Sequence, residues 1–389
     1  MNHESFEALG ASAPVVAALA TRGIESPFPI QTMVVPDAVG GLDVLAKSPT
    51  GSGKTLAFGI PIVERLEPGG PRPAAVVLVP TRELAAQVAE EVAAIATARG
   101  LSVAAAYGGV PITKQAKTVG KADILVATPG RLEDLCQRRA VRLGDVRILI
   151  LDEADRMLDM GFQPQVDKLV SRVPANRQTM FFSATLDGEV GRLARAYTTH
   201  ACRHDLVTGS ETVEDIDHRF VPVTHETKLS TLIGLLEASN GPSLVFVRTK
   251  QGADRLVQKL QRAGVDAVAM HGDLQQRARE RALSRFESGA VKTLVATDVA
   301  ARGLDLERIA TVVNYDPPED GKGYLHRVGR TGRAGRSGTG VTLVLREQQA
   351  DVSRIAARLE LSDEFTEQGM TIAPARLVYT SRRGRRSRW

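Results

Sequence analysis

The sequence predicts an α/β protein of two tandem domains, each a mostly parallel sheet flanked by helices. Strand-length apolar runs are each followed by a polar or glycine-bearing turn and a helix-like stretch, as in AAVVLVPTRELAAQVAEEV, ADILVATPGRLEDLC and VRILILDEADRML. Apolar strands alternating with helices are the pattern of a parallel sheet covered on both faces. The pattern then starts again in PSLVFVRTKQGADRLVQKL, DAVAMHGDLQQRARERALSRF, KTLVATDVAARGL and TGVTLVLREQQADVSRIAARL. The 389 residues, 43% hydrophobic, are long for one domain and sufficient for two packed cores.

Between the two sets, HDLVTGSETVEDIDHRF is polar, acidic and glycine-containing, which suits a linker. The expected organisation is a first domain over 1–208, a linker over 209–215, a second domain over 216–365 and a basic disordered tail over 366–389. The tail reading rests on fading periodicity and on SRRGRRSRW, with five arginines and no acid. Without those nine residues the chain balances at 45 basic and 45 acidic residues, so the net charge of +5 resides there. A core that binds nucleic acid would then depend on placed phosphate contacts, with the tail adding salt-sensitive, sequence-independent attraction.

No apolar run approaches the roughly 18 residues of a membrane span. The short run APVVAALA follows Glu4 and Glu7, where a signal peptide carries positive charge, so a cytoplasmic protein without membrane contact is expected. Cys136 and Cys202 form no CxxC pair, and His200, Cys202 and His204 lack a fourth ligand at a familiar spacing. Neither redox chemistry nor a metal site is expected from them.

In chain order, the first chemistry-bearing element is DVLAKSPTGSGKTLAFGIPIVERL, a short strand, a glycine-bearing loop and an amphipathic helix. Ser48, Thr50, Gly51, Ser52 and Gly53 would cradle phosphates with backbone N–H groups, Lys54 would reach the β and γ phosphates, and Thr55 would sit on Mg2+. Ser48 stands where the strict phosphate-loop pattern has glycine. Further on, VRILILDEAD ends a fully apolar strand in carboxylates, at the edge where open α/β sheets bind ligands. Asp152 would hold Mg2+ through water, and Glu153 would be the general base that orients the attacking water. An acidic first helical turn also accounts for isolated carboxylates, but not for their pairing with GSGKT.

DEAD at 152–155 and SPTGSGKT occur in one order with PTREL (80–84), TPGR (128–131), SAT (183–185), TDVAARGLD (297–305) and HRVGRTGR (326–333). With these motifs, which span nearly the whole chain, the sequence resembles the DEAD-box RNA helicase family. The resemblance implies two RecA-like domains, ATP with Mg2+, and RNA-stimulated ATP hydrolysis coupled to local RNA duplex unwinding or ribonucleoprotein remodelling. It also implies an adenine-reading element, GIESPFPIQ ending at Gln31, with Phe6 standing 17 residues before Gly23. An amide both donates to and accepts from an adenine edge, which selects ATP over GTP. Ile24 stands where the family has an aromatic and Phe28 where it has a small hydroxyl residue. Phe6 has an alternative reading as an ordinary core residue.

For RNA, Thr81 and Thr128 stand at expected helix starts, with Pro129 suited to a first turn. With Pro80, Arg82, Gly108, Gly109, Gly130 and Arg131 they would form a sequence-blind track for one strand's backbone. Arg248, Thr249, His271, Gly272, Thr297 and Asp298 occupy corresponding turns of the second domain. Gln276 and Arg279 match a family element joining the domains and the RNA site. Ser183 and Thr185 are expected to bond the DEAD carboxylates and transmit phosphate state. The resemblance further implies Arg330 and Arg333 as arginine fingers, Gly303 and Asp305 near the ribose, and His326 and Arg327 as coupling residues.

Aromatic residues are only 4% of the chain, so sequence-specific base recognition by the core is not expected; preference for RNA would rest on 2′-hydroxyl contacts. Ribosomal or RNA-degradation proteins are candidate partners. Two rivals use the same residues: an ATP-gated RNA clamp that unwinds little, and a DNA-directed helicase.

Overall fold

In a computed structural model of the protein, the described residues are 5–49, 51–206, 216–301, 309–332 and 337–374. They form two units, each with its own sheet. The expected linker at 209–215 lies outside the described residues.

Seven strands build the first unit's sheet: β1 (Val44–Lys47), β2 (Ala75–Leu78), β3 (Val103–Ala106), β4 (Ile124–Ala127), β5 (Ile148–Leu151), β6 (Gln178–Ser183) and β7 (Cys202–Asp205). Their order is β3-β4-β2-β5-β6-β1-β7, and every neighbouring pair is parallel. Side chains alternate between faces, so an unbroken apolar run serves two cores at once. Ile148, Ile150 and Phe182 join one cluster, whereas Leu149, Leu151 and Phe181 join the other. On the first face Phe58 meets Phe182 edge-on, ring centroids 5.3 Å apart. Edge strand β7 carries Cys202 and His204, and the imidazole of His204 pairs with Asp37 at 3.0 Å.

The second unit repeats the plan with β8 (Ile216–Val223), β9 (Ser243–Phe246), β10 (Ala267–Met270), β11 (Thr293–Ala296), β12 (Thr311–Asn314) and β13 (Gly338–Leu345). The order is β10-β11-β9-β12-β13-β8, again parallel throughout. The two units are therefore both RecA-like in plan.

Packing of the second unit continues past residue 365, where the sequence places its end. Met370 is buried with Phe220, Tyr324 and Phe365, and the Ala373 N–H donates to Ser353 Oγ at 3.0 Å. A single anchoring apolar residue leaves no periodicity to read. Residues 375–389, including the arginine-rich stretch, lie outside the described residues.

The helix starts expected at Thr81 and Thr128 are both present, but the Thr128 side chain makes no cap hydrogen bond. Thr81 Oγ1 accepts the Leu84 N–H at the head of helix Arg82–Ala96, Thr249 Oγ1 accepts the Gly252 N–H at the head of Lys250–Arg262, and Pro129 opens Pro129–Gln137.

Candidate functional site

Strand order divides the first sheet's carboxyl edge into two halves. On one half the ends of β5, β6 and β1 lie side by side, so DEAD, SAT and the phosphate loop become neighbours although far apart in sequence. The loop after β1 turns through Gly51 at φ +84° and Gly53 at φ +87°, a region glycine enters without strain. Ser52 Oγ donates to the Pro49 carbonyl at 2.9 Å; Thr50 is outside the described residues. Lys54 is buried at the start of helix Lys54–Arg65, its Nζ 3.5 Å from the Ser48 carbonyl oxygen, and Thr55 follows in the same turn. Ser48 Oγ is buried without a hydrogen-bond partner among the described residues.

From β5 come Asp152 and Glu153, both buried. The Asp152 N–H donates to the Leu78 carbonyl at 2.9 Å, and Asp152 Oδ1 accepts the Glu153 N–H at 2.9 Å. Burial pushes the Asp152 carboxyl up to about 6; Lys54 pulls against that, and the neighbouring Glu153 charge adds to it. Glu153 holds a left-handed backbone, φ +49° and ψ +48°, as the residue capping helix Ala154–Asp159, a conformation that costs a non-glycine residue about 1–3 kcal/mol. Arg156, one turn on, donates from Nη1 to Glu153 Oε2 at 2.8 Å, both side chains being 4% exposed.

The Ser183 hydroxyl differs from expectation. It accepts the Thr185 N–H at 3.3 Å, while its carbonyl accepts the Ser48 N–H at 3.0 Å. Ser183 thus ties SAT to the phosphate loop through main chain. Asp155 Oδ2 is buried without a hydrogen-bond partner among the described residues.

Gln31 sits on helix Pro29–Val39, 1% exposed, with both amide atoms engaged. Oε1 accepts the Phe28 N–H at 2.8 Å and Nε2 donates to the Gly53 carbonyl at 2.9 Å. These bonds fix the amide's orientation and use one donor and one acceptor, leaving one of each. The element also braces the phosphate loop, a role the sequence did not suggest. Phe6 is 2% exposed in the first unit's core, the place of a packing residue. Phe28 by contrast is 57% exposed, and its ring lies against Gly53.

The other half of the edge belongs to β3, β4 and β2. It gathers Pro80, Thr81, Arg82, Gly108, Gly109, Thr128, Pro129, Gly130 and Arg131 at three adjacent strand ends. The Arg82 guanidinium covers Gly108, where an added Cβ would lie 3.1 Å from Nη2. Arg131 donates from Nη1 to the Val110 carbonyl at 3.0 Å and to Gln115 Oε1. Burial, with the like charge of Arg82 adding to it, holds the Arg131 guanidinium below its usual pKa, although Asp134 opposes the shift. Two cations held together over helix N-termini are what a phosphate would relieve.

In the second unit, β10, β11 and β9 end side by side and gather Arg248, Thr249, His271, Gly272, Thr297 and Asp298. Arg248 is exposed, and its N–H donates to Asp316 Oδ2 at 2.9 Å. His271 is buried, Nε2 bonded to Asp254 Oδ1 at 2.9 Å, while its carbonyl accepts from Arg279 Nη1 at 3.4 Å. Gln276 opens its helix and donates to Glu280 Oε1 at 3.2 Å.

Asp298 is placed differently from an RNA contact. Its two oxygens accept from Arg327 Nε and Nη2 at 2.6 and 2.7 Å, and Arg327 Nη1 also reaches Asn314 Oδ1 at 3.1 Å and the Asp316 carbonyl at 2.6 Å. Arg327 is a buried clamp on the ends of β11 and β12. Arg330 is buried, its Nε 3.4 Å from the His326 carbonyl. Gly303, Asp305 and Arg333 are outside the described residues. Residues that sequence reasoning missed are the partners: Arg156, Asp254, Asn314, Asp316 and Lys250, the last paired with Asp273 at 2.6 Å beside Gly272. Only Arg156 carried a local signal, its one-turn spacing from Glu153.

No described helix is long and apolar enough to cross a membrane. The family model for DEAD/DEAH box helicases matches residues 28–193, and that for the helicase conserved C-terminal domain matches 227–335. The DEAD-box ATP-dependent RNA helicase CshA of Bacillus subtilis is 40% identical over 89% of this chain and 70% of that protein. The ATP-dependent RNA helicase DeaD of Escherichia coli is 40% identical over 84% of this chain and 52% of that protein. Among solved structures, S. cerevisiae Dbp5 bound to RNA and ADP BeF3 aligns with TM-score 0.83 and 30% identity, covering 95% of each chain. With glycine loop, DEAD and SAT brought to three adjacent strand ends, and the cation-lined turns beside them, the chain belongs to the DEAD-box family of ATP-dependent RNA helicases.

Proposed function

We propose that the protein uses ATP to grip one RNA strand, separates short duplexes locally, and hydrolyses the nucleotide to let go. One observation carries this reading: a single sheet edge places the phosphate loop, SAT and DEAD next to the Thr81, Gly108 and Thr128 turns. Dbp5, solved with RNA and ADP BeF3, supports both ligand classes.

In this reading the backbone from Gly51 to Thr55 cradles the phosphates and Lys54 neutralises them. Glu153 accepts a proton from the attacking water. Arg330 and Arg333 supply positive charge as the γ phosphate leaves, a contribution worth about 10³ to 10⁵ in rate. Thr55 and Asp152 are the residues that would hold Mg2+, which when bound offsets phosphate charge. The fit is supported by the buried Asp152 carboxyl, whose pKa burial raises, and by a Ser48 hydroxyl that has no hydrogen-bond partner among the described residues.

For RNA, Arg82, Arg131 and the N–H groups behind Thr81 and Thr128 hold backbone phosphates without reading bases. Arg248, Thr249 and Gly272 do the same in the second unit. Arg327, locked to Asp298, holds the turn after β11 in shape. Targeting to ribosomal or RNA-degradation assemblies falls to other segments, the arginine-rich 381–389 stretch among them.

The test is ATP turnover titrated with single-stranded RNA and with DNA of the same sequence, alongside strand separation of a short RNA duplex. Stimulation by RNA well above DNA, with separation at a comparable rate, is expected. Stimulation by DNA alone would overturn the reading. Long RNA residence with a non-hydrolysable analogue and negligible separation would assign a clamp instead.

A further inference from the structure

We propose that Arg156 is a positioning residue for ATP hydrolysis, holding the Glu153 carboxylate at the angle from which it meets the attacking water. The inference rests on Glu153 acting as the base. Helix pairs one turn apart are ordinarily exposed and contribute little to stability. This pair has both side chains 4% exposed at 2.8 Å, so it takes two charges out of water, where attraction does little more than offset desolvation. Stability alone is a poor reason to keep such a pair.

Its placement gives a better one. Glu153 bears a left-handed backbone at the junction between β5 and a six-residue helix, and Arg156 lies in that helix's first turn. The Arg156 and Met157 N–H groups both donate to the Glu153 carbonyl, at 3.0 and 3.1 Å. The main chain of Glu153 is therefore fixed by the helix and its carboxylate by the guanidinium. A carboxylate anchored at Oε2 turns only about that anchor, whereas an unanchored one samples several rotamers. Misplacement of a reacting group by about 1 Å costs roughly 10²-fold in rate.

The experiment uses the full chain at saturating RNA and compares Arg156→Ala, Arg156→Lys and Glu153→Gln with the parent. Arg156→Ala is expected to lower kcat roughly 10- to 100-fold and leave the KM for ATP within about twofold, with Arg156→Lys recovering part of kcat. Combined with Glu153→Gln, Arg156→Ala should add no further loss, since both act on one carboxylate. A merely structural role would give additive losses, or a KM that moves with kcat, and either result overturns the proposal. So would raised ATP turnover without RNA, which would make Arg156 a restraint. Should Arg156→Ala not fold, Arg156→Gln keeps a polar, though shorter, side chain, removes the charge and is read by the same criteria. Full turnover by Glu153→Gln would instead overturn the base assignment itself. Unchanged kcat in Arg156→Ala beside an inactive Glu153→Gln overturns this proposal alone.

Discussion

Asp152 and Glu153 are adjacent buried carboxyls with different work. Glu153→Gln keeps shape and removes the base, so ATP and RNA binding should persist while turnover falls about 10²- to 10⁴-fold; RNA-stimulated hydrolysis at the parent rate would refute the role. Asp152 titrates at about 6 because burial disfavours its charge. A raised folded pKa means the folded protein holds that proton more firmly than the unfolded chain. The associated stability is present below the ordinary carboxylate value and is lost as pH rises through 6. Asp152→Asn should therefore raise the unfolding free energy of the nucleotide-free protein at pH 7.5, by on the order of 1 kcal/mol, and the gain should shrink toward pH 4.5. A gain equal at both pH values would count against the assignment. The sequence named these residues because carboxylates ending an apolar strand are chemically conspicuous. It did not say which named residues would pair: Gln31 on the Gly53 carbonyl and Arg327 on Asp298 depend on which elements become neighbours.

Among the elements, the phosphate loop shows how strongly short segments lean on one another. A Cβ on Gly53 would lie 2.5 Å from Phe28 Cδ2 and 2.6 Å from Gln31 Nε2, at a φ of +87° that strains any L residue. Gly53→Ala should abolish nucleotide binding, measured with a fluorescent ADP analogue, while RNA-track residues on the β3-β4-β2 half keep their structure; retained nucleotide affinity would show the brace to be dispensable. The strands, the helix starts and the repeat of the plan were all readable from apolar runs and turn chemistry. Strand order was not. β6 follows β5 in sequence yet sits between β5 and β1, and that insertion puts SAT beside the phosphate loop.

For the molecule as a whole, charge is partitioned as sharply as chemistry. The last nine residues hold five arginines, while the remainder carries 45 basic and 45 acidic side chains. Deleting 381–389 should weaken apparent RNA affinity and flatten its dependence on salt while leaving kcat at saturating RNA unchanged; an unaltered salt slope would remove the tail from RNA attraction. Between the two halves of the first sheet runs a seam, β2 against β5, with Leu78 level with Leu151. One hydrogen bond across it joins the Asp152 N–H to the Leu78 carbonyl, three residues before Thr81. The seam works as a ruler. Each residue of slip would shift one half past the other by about 3.3 Å, enough to set the strand-gripping turns out of step with the hydrolytic carboxylates. Because the graduation is main chain, ordinary side-chain exchange cannot erase it, and the spacing between the two jobs can outlast wide change in the residues that perform them.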